Sequence, residues 1–144
     1  VLYLSFMKQV VLDTNFLLIP YTLKVDIFSE IKEIMDLPYE ICLLDESLNE
    51  LNKIIETQSG RHKQAAKFAL KLIDLKKLVI LETKQKDLKR RLNSNELVVD
   101  DILLGIANEN MIIATQDKEF KKKMSNKGIN YIYLKNRKLV KNVL

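Results

Sequence analysis

KQVVLD, Lys8 to Asp13, is the stretch whose reading decides the fold. Val10, Val11 and Leu12 follow one another with no polar alternation, as in a strand buried on both faces, and such strands belong to parallel sheets covered by helices. The run stops at an acid. Downstream, Asp26 to Leu37 (DIFSEIKEIMDL) places Ile27, Phe28, Ile31, Ile34 and Met35 at helical spacing, with Pro38 to stop it. Glu40 to Leu44 reads as a second apolar strand. Asp45 is then the expected N-cap of a helix that carries Leu48, Leu51 and Ile55 on one face.

After the break at Ser59-Gly60, Arg61 to Leu75 (RHKQAAKFALKLIDL) predicts an amphipathic helix with Ala65, Phe68, Ala69, Leu72 and Ile73 inward. Lys63, Lys67 and Lys71 recur on another face. Leu78 to Leu81 is the third strand, and a charged stretch leads into a helix from about Val98 to Asn108. Met111 to Thr115 is the fourth strand, Asp117 to Met124 is helical, and Asn130 to Leu134 is a short fifth strand near an edge. This alternation predicts an α/β fold of three layers, a central mostly parallel sheet of about five strands with helices on both faces. Ligands of such sheets bind outside the carboxyl ends of the strands. Asp13 closes the first strand and Asp117 follows the fourth, so neighbouring positions for those strands would point both carboxylates into one crevice.

The chain of 144 residues, 47% of them apolar, is of single-domain size and is read as one domain from 1 to 144, with residues 1–7 as an extension ahead of the first organised element. Met7 reads as a start. The single cysteine, Cys42, lies in an apolar run; it cannot close an intramolecular disulfide and suits a reducing, cytoplasmic setting. The apolar opening Val1 to Phe6 is too short to span a bilayer and lacks a basic n-region, so no membrane association is expected. A net charge of +5, from 24 basic and 19 acidic side chains, favours polyanionic partners. The positive charge gathers between Arg61 and Arg91 and at Lys118, Lys121, Lys122 and Lys123, whereas several acids sit at the ends of elements. That separation suits a negative pocket with a positive rim, or an ordinary lysine-rich solvated surface.

Each acid has a structural reading beside a chemical one. Asp13 and Asp117 can cap the helical turns that follow them, Glu50 can be a solvated flank of its helix, and Asp100 and Asp101 can favour a helix N-terminus. Their joint placement points further, because several carboxylates at one end of a sheet raise one another's pKa unless a cation neutralises them. Hard oxygen donors without Cys or further His favour Mg²⁺ or Mn²⁺ over zinc. An ion of that kind lowers the pKa of an attacking water and stabilises the leaving oxygen in phosphodiester hydrolysis. His62, the one histidine, has nothing near it in sequence to build a nucleophilic triad.

VVLDTNFLL at Val10 to Leu18, LDESLNEL at Leu44 to Leu51, VDDILLGIA at Val99 to Ala107 and IIATQDKEFKKK at Ile112 to Lys123 resemble, in order, the four acidic motifs of the PIN family. SGRHKQAAKFAL at Ser59 to Leu70 and the closing INYIYLKNRKLV are similar to archaeal PIN proteins akin to ribosomal-RNA processing endonucleases and close to VapC-type toxins. The resemblance implies a sheet ordered 3-2-1-4-5 and makes Asp13, Glu50, Asp100 and Asp117 the catalytic acids that hold metal, with Asn15 and Thr115 ordering the site. It selects Asp100 over Asp101 because Asp100 lies seven residues before Ala107, as in the family's motif. Val99 departs from the alanine of many relatives. The implied activity is metal-dependent cleavage of RNA, in ribosomal-RNA maturation or as a toxin, with an antitoxin or a pre-ribosome as partner and a homodimer as the expected assembly.

For an RNA substrate, Arg61, Lys63, Lys67, Lys71 and Lys121, together with Arg90, Arg91, Lys122 and Lys123, are the candidate phosphate contacts. Tyr131 and Tyr133 are candidates for base stacking as well as for packing. With three glycines in all, the chain has no Gly-rich phosphate loop. Two other readings stay open: a HAD-type phosphatase, which wants a second acid where Asn15 stands, and a non-catalytic scaffold for RNA or protein that keeps the PIN fold.

Overall fold

The structure, a computed structural model, describes residues 7–83 and 99–142. The expected helix start at Val98 and the candidate contacts Arg90 and Arg91 lie outside the described residues. Strands β1 (Lys8–Leu12), β2 (Tyr39–Leu44), β3 (Val79–Leu81), β4 (Met111–Ala114), β5 (Tyr131–Lys135) and β6 (Lys138–Lys141) form one sheet. Its order is β3-β2-β1-β4-β5-β6, with every pair parallel except the β5–β6 hairpin.

The central place of β1 accounts for its unbroken apolar run. Val10 and Leu12 enter the core on one face and Val11 enters the core on the other, all three fully buried. Each such burial is worth roughly 1.5–3 kcal/mol. Helices α1 (Thr14–Leu17), α2 (Ile19–Thr22), α3 (Ile27–Ile34), α4 (Asp45–Thr57) and α5 (Arg61–Leu75) cover the first face through Phe16, Ile19, Ile31, Leu51 and Ala69. Helices α6 (Val99–Ile106) and α7 (Lys118–Asn126) cover the second through Ile102, Leu103, Phe120 and Met124. The three layers are those that alternating strands and helices predict. No helix of the described residues is long and apolar enough to cross a membrane.

Four local details add to or correct the expectations. First, β5 lies near the edge as expected, but a sixth strand follows and pairs with it antiparallel through the turn Asn136-Arg137, whose φ values of 52° and 65° are those of a two-residue hairpin turn. Arg137 tolerates that backbone because its guanidinium donates to the carbonyls of Leu23 and Lys24, at 2.7 and 3.0 Å. Second, Asp45 is the first residue of α4 and not its cap. Its carboxylate accepts from the Glu46 amide and from the amide and hydroxyl of Thr83, and so ties the exit of β3 to the start of the helix.

Third, Phe68 lies on the surface, 38% exposed, in a tilted ring contact with Tyr21; Ala65, Ala66 and Ala69 pack inward instead, which lets α5 approach its neighbours closely. Fourth, α3 ends at Ile34, earlier than Leu37. Met35 is already extended, and the Pro38 carbonyl accepts from the Lys8 amide at 2.8 Å, so this segment must leave the helix in time to enter β2 beside β1.

Candidate active site

Asp13 stands where β1 runs out. Its amide still donates to the Ala114 carbonyl at 3.1 Å, and its Oδ1 accepts from the Phe16 amide at 2.7 Å, which caps α1. The side chain is held in the protein, 4% exposed. Because Leu12 is level with Ala114 across the parallel ladder, Asp13 is level with Thr115 on the neighbouring strand. The buried Thr115 hydroxyl hydrogen-bonds the Asp13 carboxylate and accepts from the Asp117 amide at 3.2 Å. Asp117 caps α7 by accepting from the Phe120 amide at 2.8 Å. The capping reading of Asp13 and Asp117 is therefore met, and in each the cap is what fixes the carboxylate.

Two further acids arrive from opposite layers. Glu50 projects from α4, and its Oε1 accepts from the Val99 amide at 3.4 Å, at the start of α6. Asp100 occupies the first turn of the same helix, and half-buried Asp100 contrasts with exposed Asp101. Asp13, Thr14, Asn15, Glu50, Val99 and Asp100 line one cleft outside the carboxyl end of β1. Asn15 is exposed at its mouth, and the Thr14 hydroxyl reaches Ser47 on α4 at 3.1 Å in a buried contact. Thr14 and Ser47 were not singled out by their sequence. The signal was weak, a Thr beside Asp13 and a Ser one turn before Glu50.

The electrostatics report crowding of like charge. Burial pushes the Asp13 carboxyl up to about 7, and the charges of Asp100 and Asp117 push in the same direction against the hydrogen bonds from Thr115 and the Phe16 amide. Asp100 is raised to about 6, first by burial and then by Asp117, Glu50 and Asp101, with Lys123 opposing. Each member of the quartet thus either feels or exerts the field of another. Among the described residues no three acid, His or Cys side chains already close on a common point at ligating distance: Asp13, Glu50 and Asp100 line the cleft, Asp117 stands outside its lining, and the acids are not drawn together. An all-oxygen donor set carrying uncompensated negative charge nevertheless fits a hard divalent cation, which would relieve the repulsion.

The basic candidates are spread more widely. Arg61 donates to the Thr22 carbonyl and so fastens α5 to α2; Lys67 and Lys71 are exposed and Lys63 half-buried, and none of the four lines the cleft. Lys121 lies with its ammonium 4.2 Å from the centre of the Tyr133 ring, and Tyr131 and Tyr133 contact one another at 6.0 Å. Lys123, felt by Asp100, is the cation with the clearest link to the acids.

A parallel sheet ordered 3-2-1-4-5, extended here by a sixth strand, with Asp13, Glu50 and Asp100 lining one cleft and Asp117 adding its charge from the neighbouring strand end, defines a small α/β protein with an acidic site at the carboxyl edge of its sheet. The PIN like domain family model matches residues 10–137, and the chain belongs to that family. It is 29% identical over 136 residues to Ribonuclease VapC4 of Methanocaldococcus jannaschii, covering 92% of this chain and 94% of that protein. It is 33% identical over 132 residues to Ribonuclease VapC9 of Archaeoglobus fulgidus, covering 90% of this chain and 85% of that protein. Among solved structures, that of the PIN domain endonuclease Utp24 superposes with a TM-score of 0.69 at 20% identity, covering 94% of this chain and 92% of that one, a likeness of fold.

Proposed function

We propose that this protein is a divalent-metal-dependent endoribonuclease whose site is formed by Asp13, Glu50, Asp100 and Asp117. The observation that carries the reading is the buried Asp13 carboxyl, raised to about 7 at a strand end where the charges of Asp100 and Asp117 converge on it. Its two near-full-length relatives carry the name ribonuclease, which supports RNA as substrate. Mg²⁺ or Mn²⁺ bound by the four acids would supply the charge that activates a water and stabilises the leaving oxygen. The chain's own residues do the rest. The Phe16 amide and Thr115 hydroxyl orient Asp13, the Val99 amide orients Glu50, and Asn15 stands at the mouth where the scissile phosphate enters. Lys123 supplies positive charge beside the acids, and Lys121 over the Tyr133 ring, with Arg61, Lys63, Lys67 and Lys71 along α5, adds charge for flanking phosphates.

Of the two biological settings, the names VapC4 and VapC9 favour the toxin of a toxin–antitoxin pair over ribosomal-RNA maturation. A small antitoxin encoded beside this gene would agree with the first. The test is incubation of labelled structured and single-stranded RNAs with the wild type and with Asp13→Asn plus Asp100→Asn, in Mn²⁺, Mg²⁺ or EDTA. Cleavage by the wild type in metal alone is the expected result. If neither protein cuts while both bind RNA, the scaffold reading replaces this one.

A further inference from the structure

Gln116 lies between Thr115 and Asp117, at the point where β4 leaves the sheet. It is exposed, yet its side chain is committed at both ends: Oε1 accepts from the Leu134 amide at 2.6 Å and Nε2 donates to the Leu134 carbonyl at 3.1 Å. The ladder up to that point is regular, with the Ile113 amide donating to Asn130 and the Thr115 amide to Ile132. A parallel ladder continued by one step would pair the Leu134 amide with the Thr115 carbonyl and the Asp117 amide with the Leu134 carbonyl. The Gln116 carboxamide takes both of those places. It stands in for the next peptide group and satisfies Leu134, and the backbone of Asp117 is released from the sheet. The Asp117 amide turns back instead to Thr115 Oγ1, the atom that also serves Asp13.

We propose that Gln116 is a positioning residue for the acidic site: by ending the β4–β5 ladder with its own side chain, it aims Asp117 at Asp13 and Asp100. The inference rests on the nuclease reading for its catalytic consequence, although the placement of Asp117 is testable without it. Asn142 offers a matched control. It grips the same strand at the other end, accepting from the Tyr131 amide at 2.8 Å and donating to the Ile129 carbonyl at 3.2 Å, away from the acids.

The experiment compares wild type, Gln116→Met, which keeps the length of the side chain and removes both hydrogen bonds, and Asn142→Ala. Amide hydrogen exchange at Asp117 and Phe120 is read by NMR in the metal-free proteins, Mn²⁺ affinity by calorimetry, and kcat and KM on RNA. The expected result for Gln116→Met is exchange at both amides at least tenfold faster, Mn²⁺ binding at least tenfold weaker, and kcat at least tenfold lower with KM within twofold. Asn142→Ala should lose stability while leaving the two amides, Mn²⁺ affinity and kcat within twofold of wild type. Unchanged exchange at Asp117 and Phe120 in Gln116→Met, or equal changes in both variants, would overturn the inference. A wild type that neither binds Mn²⁺ nor cuts RNA sinks the nuclease reading, and the amide exchange still decides the role of Gln116.

Discussion

At the scale of single residues, Asp13 carries a conflict between folding and function. Its Oδ1 caps α1, but burial beside two other acids makes the ionised form expensive in the metal-free protein. Asparagine keeps an oxygen for the Phe16 amide and removes the charge. Asp13→Asn should therefore raise the stability of the metal-free protein at pH 8 by at least about 1 kcal/mol, since each pKa unit is worth about 1.4 kcal/mol, and lower RNA cleavage by about 100-fold or more. Melting in EDTA alongside a cleavage assay checks both; a destabilised variant would contradict the charge-conflict account. Cys42 is the opposite case, a residue with no role at the site. Fully buried, with its thiol pushed up to about 12 by burial and then by Glu40, it should resist alkylation in the native protein and react once denaturant is added. Mass spectrometry after brief iodoacetamide treatment reads this directly. Rapid labelling without denaturant would place the residue at the surface.

At the scale of elements, the ends of helices show what sequence patterns transmit. The C-terminus of α7 closes through Gly128 at φ +70°, with the Gly128 amide on the Ser125 carbonyl and the Ile129 amide on the Met124 carbonyl at 2.9 Å. Nothing lies within 4 Å of a Cβ added there, so Gly128→Ala should cost about 1 kcal/mol through backbone conformation alone. Chemical denaturation would show it, and a neutral substitution would mean that the turn relaxes. Helices with a wide apolar face and the fully buried strands were readable because period and burial coincide in them, as in Val10 to Leu12 and Ile27 to Ile31. The sixth strand was not. Its turn, Asn136-Arg137, lacks the glycine that usually marks a two-residue hairpin, and what holds it is Arg137 reaching the carbonyls of Leu23 and Lys24, a contact across more than a hundred residues. Phe68 was misplaced for a related reason: helical periodicity identifies an apolar face, but its edges are set by the neighbour, here Tyr21.

At the scale of the whole molecule, the ordered motifs singled out the four acids and the expected strand order already put Asp13 beside Asp117, while the hydrogen bonds that hold the acids were not legible. That Thr115 joins Asp13 to Asp117, or that Glu50 reaches the Val99 amide, depends on side-chain placement and helix approach that no local spacing encodes. The assembled site has a consequence for stability. Asp13 rises from 3.8 to about 7 and Asp100 from 3.8 to about 6 in the folded protein, so the metal-free fold holds protons that the unfolded chain has released. The favourable contribution is full below about pH 4 and is lost as pH rises through the folded values, so these two groups make stability fall between about pH 4 and pH 7. Mn²⁺ should reverse the loss near pH 7.5, raising Tm relative to EDTA by several degrees, with an effect that shrinks as the carboxyls protonate toward pH 5. Equal Tm values with Mn²⁺ and EDTA at pH 7.5 would speak against a cation in the cleft.

The central claim is that the ring of acids makes this chain an endonuclease for RNA that works through a divalent cation. The most direct measurement is the opening of a circular RNA, which has no ends for an exonuclease to attack. The account predicts linear product with wild type in Mn²⁺, and intact circles both in EDTA and with Asp13→Asn. Circles that stay closed with wild type in Mn²⁺, or that open equally well in EDTA, would contradict it.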